Sequence, residues 1–327
     1  MIAEILALLA MPAAPANATS NAAAPGLAPA EVVSRASPSE WRAIPASDIM
    51  VVELAPAAGG VRRRVVVQLL PSPISQGWIG NIRQLAKAHW WDGTSVNRVQ
   101  DNYVAQWGDS TEKKPLPPGL ATMSDKDYTA AIGETYLDGA MVRQAHSRDF
   151  VGRVAESGRD AYAPLTFTWR SWPMAAERRG APGSAALTVA WPVHCYGMVG
   201  VGRNIAPDTG NGAELYAVIG HAPRHLDRNI ALVGRVIEGI EHLSSLPRGT
   251  EALGMYATAA ERVPIISARI ARDLPPPDQP HFEYLATDSD SFARYADARA
   301  NRHDAFFIRP AGGADICNVP TPIRRAN

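Results

Sequence analysis

The residues from Trp90 to Asp109, WWDGTSVNRVQDNYVAQWGD, constrain the fold more than any other stretch of the chain. They read as an Asp92-Gly93 turn, a short β-like run holding Arg98, a polar break at Gln100 to Asn102, and a second run from Tyr103 to Gln106 closed by Trp107, Gly108 and Asp109. Side chains alternate between the two faces of a strand. The pattern therefore predicts Val96 and Arg98 on one face, with Asn97 and Val99 on the other. That layout holds one cation beside an apolar floor.

The rest of the chain agrees with a β-rich, turn-rich fold. Among 327 residues there are 27 prolines and 26 glycines, which suits short strands and turns better than a helix bundle. The formal net charge is +0, which removes any electrostatic case for nucleic acid or an acidic membrane surface.

In chain order, Ile49 to Leu54 and Val61 to Leu69 read as two strands joined by the turn Ala55 to Gly60, a hairpin. Pro71-Ser72-Pro73 breaks the second strand. Ile74 to His89 then reads as a helix, with Trp78, Ile82, Leu85 and Ala86 as its buried stripe. Residues 110–193 are the least patterned part and read as an insertion, a kind of segment that more often carries function or partner contacts than core. Within it, Ala140 to Glu156 has no clear period, and Ala161 to Arg170 and Ala185 to Trp191 look like strands. Beyond Glu261 to Ile270, another strand, Pro275-Pro276-Pro277 marks a boundary. The tail 272–327 reads as a strand near Phe282 to Leu285, a helix from Ser289 to Arg302 and a strand at Ala305 to Ile308. The stripe Phe292, Tyr295, Ala296 and Ala300 predicts that this helix packs back on the rest of the fold.

Several of these runs resemble the cyclophilin family of peptidyl-prolyl isomerases. WWDGTSVNRV, then QDN, then YVAQWGD is similar to that family's arginine strand and the F-M-x-Q-G-G-D strand after it. Gly197 to Arg203 is similar to G-x-[VL]-[SG]-M-A-[NR], and Asp208 to Tyr216 to N-T-N-G-S-Q-F-F with one extra residue at Gly210. Ala222 to Asp227 resembles the turn ending in Trp-Leu-Asp, and Val233 to Gly239 resembles F-G-[KR]-V-x-x-G, which opens the last helix. In that helix Ile237, Ile240, Leu243 and Leu246 form the apolar stripe. The resemblance covers residues 48–109 and 195–271. It implies a mainly β fold: a closed antiparallel β-barrel capped by two helices, with the insertion 110–193 inside a domain of residues 37–271 and an α/β C-terminal extension at 272–327.

The resemblance also implies an activity and a site. The activity is peptidyl-prolyl cis-trans isomerisation, with Arg98 stabilising the twisted amide and Gln106 orienting Arg98. The proline pocket falls on Tyr103, Val104, Tyr216, Leu226 and Ile230. Gly202, Glu214 and His225 complete the substrate-binding rim, and Arg203 stands beside Gly202. Glu214 stands at a glutamine position, from which a carboxylate reaches Arg98 in a salt bridge. Val96 and Asn97 stand where Phe-His is usual, Trp107 replaces a glycine, and His225 replaces the rim Trp or Phe, so weak inhibition by cyclosporin is expected. The implied partners are proline-containing polypeptides, with a further protein partner possible through the insertion. The changed rim, the insertion and the tail also fit an alternative: a catalytically weak binding module or chaperone for proline-containing segments.

No cofactor or metal is expected. Gly200-Val201-Gly202 lacks the third glycine of a dinucleotide loop, and neither Cys-x-x-Cys nor clustered histidine spacing is present. The apolar run Ile2 to Met11 is far shorter than the roughly 20 residues of a transmembrane helix. Followed by Ala16-Asn17-Ala18, it predicts a signal peptide over residues 1–18 and a flexible lead-in over 19–36, hence a periplasmic or secreted chain. The run lacks a basic residue and contains Glu4, which leaves a cytoplasmic chain as the alternative. Cys195 and Cys317 read either as one disulfide tying the tail to the core or as two buried thiols.

Overall fold

The computed structural model describes residues 26–132, 160–179 and 187–326. Its strands in chain order are β1 (Trp41–Ala43), β2 (Ile49–Leu54), β3 (Arg63–Leu69), β4 (Ser95–Val99), β5 (Val104–Gly108), β6 (Ala130–Ile132), β7 (Leu165–Trp169), β8 (Trp172–Arg179), β9 (Leu187–Pro192), β10 (Met198–Val201), β11 (Leu215–Val218), β12 (Leu232–Glu238), β13 (Val263–Ile270), β14 (Phe282–Leu285) and β15 (Ile323–Arg325). Its α-helices are α1 (Pro29–Ser34), α2 (Gln76–Lys87), α3 (Glu241–Ser244) and α4 (Asp290–Ala300).

Eight strands close into an antiparallel barrel in the order β10-β11-β5-β4-β13-β2-β3-β12. Closure leaves no unpaired edge in the barrel. The hairpin β2–β3 carries apolar residues at nearly every position because both of its faces are covered. Met50, Val52, Leu54, Val65, Val67 and Leu69 join the main core. Ile49, Val51 and Val66 instead pack with Ala271 and Phe282, so the C-terminal extension covers the outside of this hairpin. A barrel strand with one wet face would alternate.

The extension is fastened to the rest of the chain in two further ways. Strand β14 pairs with β1 on one side and β15 on the other, a sheet that joins residues from both ends of the described chain. Cys195 and Cys317 are joined by a disulfide, and the neighbouring Ile316 belongs to the main core. Helix α4 buries the expected Phe292, Tyr295, Ala296 and Ala300.

Three expectations are corrected. Residues Ala305 to Ile308 form no strand; Phe306 and Ile308 stand 81% and 94% exposed in a turn, with no neighbouring strand to pair with. The last strand of the extension is β15. The helix expected from Ile237 is instead the end of β12, a turn at Gly239 with φ +83°, and the single turn α3, so the second helical cap is one turn long. Part of the segment read as a flexible lead-in is ordered: α1 packs Val32 against Trp41, Leu285 and Phe292. Residues 1–25 lie outside the described residues, and with them the signal-peptide reading.

The insertion contributes a second sheet, in the order β6-β9-β8-β7. Strands β7 and β9 match the expected runs, β8 is additional, and Ala140 to Glu156 lies outside the described residues. Trp172, Met174 and Trp191 of this sheet share one core with the barrel. The joint is polar as well. Buried Arg235 on β12 donates to Gln68 Oε1 and to the Ser171 carbonyl and hydroxyl, and lies 4.3 Å from the Trp172 ring centroid. Burial pulls its pKa down to about 9, so it stays protonated at neutral pH. No helix among the described residues is long and apolar enough to cross a membrane.

Candidate functional site

One row of the barrel brings the site together. Arg98 on β4 is paired with Gln106 on β5, Gln106 with Tyr216 on β11, and Tyr216 with Gly200 on β10. The register of β4 against β5 slips by one residue between Val96 and Arg98. Asn97 is the extra residue of this bulge, and a bulge breaks period-two alternation. The simple alternation predicted for Val96 to Val99 is therefore corrected: Val96, Asn97 and Val99 are all buried and Arg98 is half-buried.

Three neutral oxygens hold the Arg98 guanidinium. Its Nε donates to the Leu253 carbonyl at 2.7 Å, one terminal nitrogen to Gln106 Oε1 at 3.1 Å and the other to Gln100 Oε1 at 2.5 Å. Among the described residues no carboxylate pairs with it, and the expected Arg98–Glu214 salt bridge is not formed. Burial lowers the Arg98 pKa, and nearby Tyr103 and Tyr216 partly offset the fall. The loop carrying Leu253 is pinned to β4 by Gly249 N–H to Val99 O at 2.9 Å and Tyr256 N–H to Asn97 O at 3.0 Å.

Gln106 separates the cation from the carboxylate. Its oxygen faces Arg98, while its side chain also hydrogen-bonds Glu214. Burial pushes the Glu214 pKa up, and hydrogen bonds from Gln106, the Asp109 N–H and the Asn97 side chain pull part of that back. Glycines make the room. A Cβ on Gly108 would stand 1.9 Å from Glu214 Oε1, and one on Gly202 would stand 2.8 Å from Glu214 Cβ. A cleft of about 340 Å³ opens here, lined by Asn97, Gln106, Gly202, Arg203, Glu214 and Met255.

The aromatic side of the site lies on the other flank of Arg98. The guanidinium stands 5.8 Å from the Tyr103 ring centroid, and His225 stacks on that ring at 6.5 Å with 7° between the planes. Val104 is buried, while Leu226 and Ile230 are half-buried at and beyond the turn Arg224–Leu226. Tyr216 is buried, but it is not a purely apolar floor residue: its hydroxyl meets His194 Nε2 at 2.8 Å. Two tryptophans anchor the loop before β11. Trp78 on α2 donates to Gly210 O at 3.0 Å, and Trp91 donates to Ala213 O at 2.8 Å.

Of the ten expected site residues, Gln106, Tyr103 and Tyr216 lie about Arg98, His225 stacks on Tyr103, and Gly202 and Glu214 line the cleft beside Gln106. The sequence reading missed Gln100 and the group His194, Arg224 and Asp227. Asp227 closes a motif that was noticed, but nothing in residue spacing ties it to His194, 33 positions earlier.

The family model described as cyclophilin type peptidyl-prolyl cis-trans isomerase/CLD matches residues 78–270. Among solved structures, the chain is similar to the crystal structure of cyclophilin AquaCyp293 from Hirschia baltica, with a TM-score of 0.60 and 20% identity, over 88% of this chain and 94% of that one. At that identity the likeness is one of fold. No curated protein matches the sequence.

Proposed function

The chain belongs to the cyclophilin-type peptidyl-prolyl cis-trans isomerase family, and on that premise we propose that it accelerates Xaa-Pro isomerisation in folding proteins. Resonance gives the peptide bond a rotational barrier of about 18–20 kcal/mol. Uncatalysed Xaa-Pro exchange takes roughly tens to hundreds of seconds. No bond is made or broken, so a catalyst needs only to favour the twisted amide over both planar forms. In the twisted amide the proline nitrogen loses resonance and accepts a hydrogen bond. A guanidinium fixed in place is worth more to that state than to either ground state.

The observation that carries this reading is the setting of Arg98: a partly desolvated cation, aimed by Leu253, Gln106 and Gln100, with no carboxylate of the described residues to quench it. Tyr103, Val104, Tyr216, Leu226 and Ile230 would receive the proline ring. The cleft beside Gln106 would take the substrate chain running past Gly202. The test is refolding of a protein limited by a slow prolyl step. Catalytic amounts of this chain should accelerate that phase, and an unchanged phase would leave the alternative of a binding module for proline-containing segments.

The reading extends to place and partner. Export to the periplasm or outside the cell is supported by the Ala16-Asn17-Ala18 pattern and by the Cys195–Cys317 disulfide, a bond that persists in oxidising compartments. Fractionation of cells producing the full chain tests it; recovery in the cytoplasm with reduced thiols would oppose it. Proline-containing polypeptides are the partners of the barrel site, and the insertion sheet offers a separate surface for a protein partner.

A further inference from the structure

Behind the proline pocket a buried polar chain runs from the barrel into the insertion. Tyr216 meets His194 Nε2 at 2.8 Å, and His194 Nδ1 meets Asp227 Oδ1 at 2.8 Å. The same oxygen accepts the His194 backbone N–H at 2.9 Å. Asp227 Oδ2 accepts from Arg224 Nε at 2.6 Å, and the two terminal nitrogens of Arg224 reach Asp160 at 2.8 and 3.0 Å. The Arg224 guanidinium also lies 5.3 Å from the ring of Tyr162, beside Asp160 in the insertion. His194 is wholly buried, and the side chains of Asp227 and Arg224 are each 4% exposed.

Chemistry sets the direction of this chain. Asp227 receives its hydrogen bonds from a backbone amide, a guanidinium and the His194 ring. The ring proton of His194 therefore sits on Nδ1, and Nε2 is left to accept the Tyr216 hydroxyl proton. The titratable and charged groups facing His194 are Asp227, Tyr216, Arg224 and His225. Burial lowers the His194 pKa more than Asp227 raises it, and burial holds the Tyr216 pKa well above 10, so both rings are neutral near pH 7. The Tyr216 ring meanwhile crosses Gly200 so closely that a Cβ there would fall 2.3 Å from it. Ring orientation is thus set on one side by a glycine gap and on the other by a single hydrogen bond.

We propose that His194, Asp227 and Arg224 are positioning residues that lock the Tyr216 ring in the proline pocket and tie that pocket to the insertion through Asp160. The proposal deepens the isomerase reading and rests on it for its kinetic consequence, but the lock itself is measurable without substrate. A barrel carrying only an apolar aromatic at this position would need none of these partners. Here the insertion supplies the last carboxylate of the chain, so the insertion gains a physical route to the pocket.

The test uses the full oxidised chain and two independent readouts. Nitrogen-15 spectra of His194 should show the Nδ1-protonated tautomer, and proton NMR should show a slowly exchanging Tyr216 hydroxyl resonance that is lost to fast exchange in Asp227→Asn and His194→Gln. An Nε2-protonated tautomer, or a Tyr216 hydroxyl resonance unchanged in the folded variants, overturns the lock whether or not the chain is an isomerase. In peptide kinetics the same variants should raise KM roughly threefold to tenfold, with a smaller change in kcat. The effect of His194→Gln should vanish in a Tyr216→Phe background. Equal losses in both backgrounds would make His194 a packing residue only and overturn the proposal. If wild type does not isomerise, the isomerase reading fails while the NMR arm still decides the lock. Should the His194 variants not fold, Asp160→Asn, at the far and partly exposed end, should still speed exchange of the Tyr216 hydroxyl proton, and no change there would overturn the link to the insertion.

Discussion

Gln106 stands directly opposite Arg98 in the β4–β5 ladder, and its side-chain oxygen accepts from the guanidinium at 3.1 Å. The pairing places the cation by a neutral amide, which aims a positive charge without cancelling it. Gln106→Ala should leave the fold intact and lower kcat/KM. A hydrogen bond to a charged group is worth about 1.5–3 kcal/mol, so the loss should be roughly tenfold or more. Steady-state kinetics with an Xaa-Pro peptide checks this, and an unchanged kcat/KM would remove Gln106 from the machinery.

Glu214 should give the activity an acid limb. Burial raises its pKa above the ordinary carboxylate value. As pH falls through that raised pKa the carboxylate is neutralised, the hydrogen bonds from Gln106 and Asn97 weaken, and Arg98 loses its alignment. The linked stability runs the other way. A folded-state carboxyl with a raised pKa binds more protons than the unfolded chain in that window, so its contribution to stability grows as pH falls. A pH–rate profile from about pH 4 to pH 8 should show declining kcat/KM toward acid, and Glu214→Gln should flatten that limb. Both variants sharing one profile would refute the assignment.

Gly202 is a steric requirement of the same arrangement. A methyl group there would press on Glu214 Cβ at 2.8 Å, beside the Gln106 amide at 3.4 Å. Gly202→Ala should displace Glu214 and Gln106 from the cleft and raise KM by about tenfold, with thermal stability falling by no more than about 1–3 kcal/mol. Peptide titration together with a melting curve measures both. Full activity in the variant would mean that the carboxylate is not part of the site.

The disulfide ties residue 195 to residue 317 across 122 positions of sequence, so it should stabilise chiefly by restricting the unfolded chain. Cys317→Ser should cost about 2–4 kcal/mol in urea unfolding. Its effect on kcat should be smaller than its effect on stability, because neither cysteine hydrogen-bonds Arg98 or lines the cleft beside Gln106. A large loss of kcat with unchanged stability would contradict this account of the tail.

Much of this was legible in residue order. The hairpin β2–β3, the helix α2, the strands holding Arg98 and Gln106, and the helix α4 follow from local pattern and turn chemistry. What escaped depends on distant neighbours. The bulge at Asn97 depends on how β5 registers against β4, which alternation within one run does not encode. Ala305 to Ile308 has the composition of a strand but no partner, whereas Ile323–Arg325 pairs with β14. The stripe Ile237, Ile240, Leu243 and Leu246 has helical spacing, yet β12 keeps its ladder with β3 until Gly239 turns the chain. Strand β8 begins with Pro173 near its start and buries Met174, Ala175 and Ala176 in succession, so it shows neither period. The chain from Tyr216 to Asp160 joins residues far apart in sequence and is visible only in space.

The central claim is that a fixed, unquenched Arg98 catalyses rotation about Xaa-Pro bonds. Exchange NMR on a short Xaa-Pro peptide, with wild type and Arg98→Ala side by side, tests it most directly. The account predicts fast exchange with wild type and a loss of about a hundredfold to a thousandfold in the variant, the scale of removing one donor from a preorganised site. Equal, slow exchange with both proteins, at peptide concentrations that saturate binding, would contradict it and leave a barrel that holds proline segments without turning them.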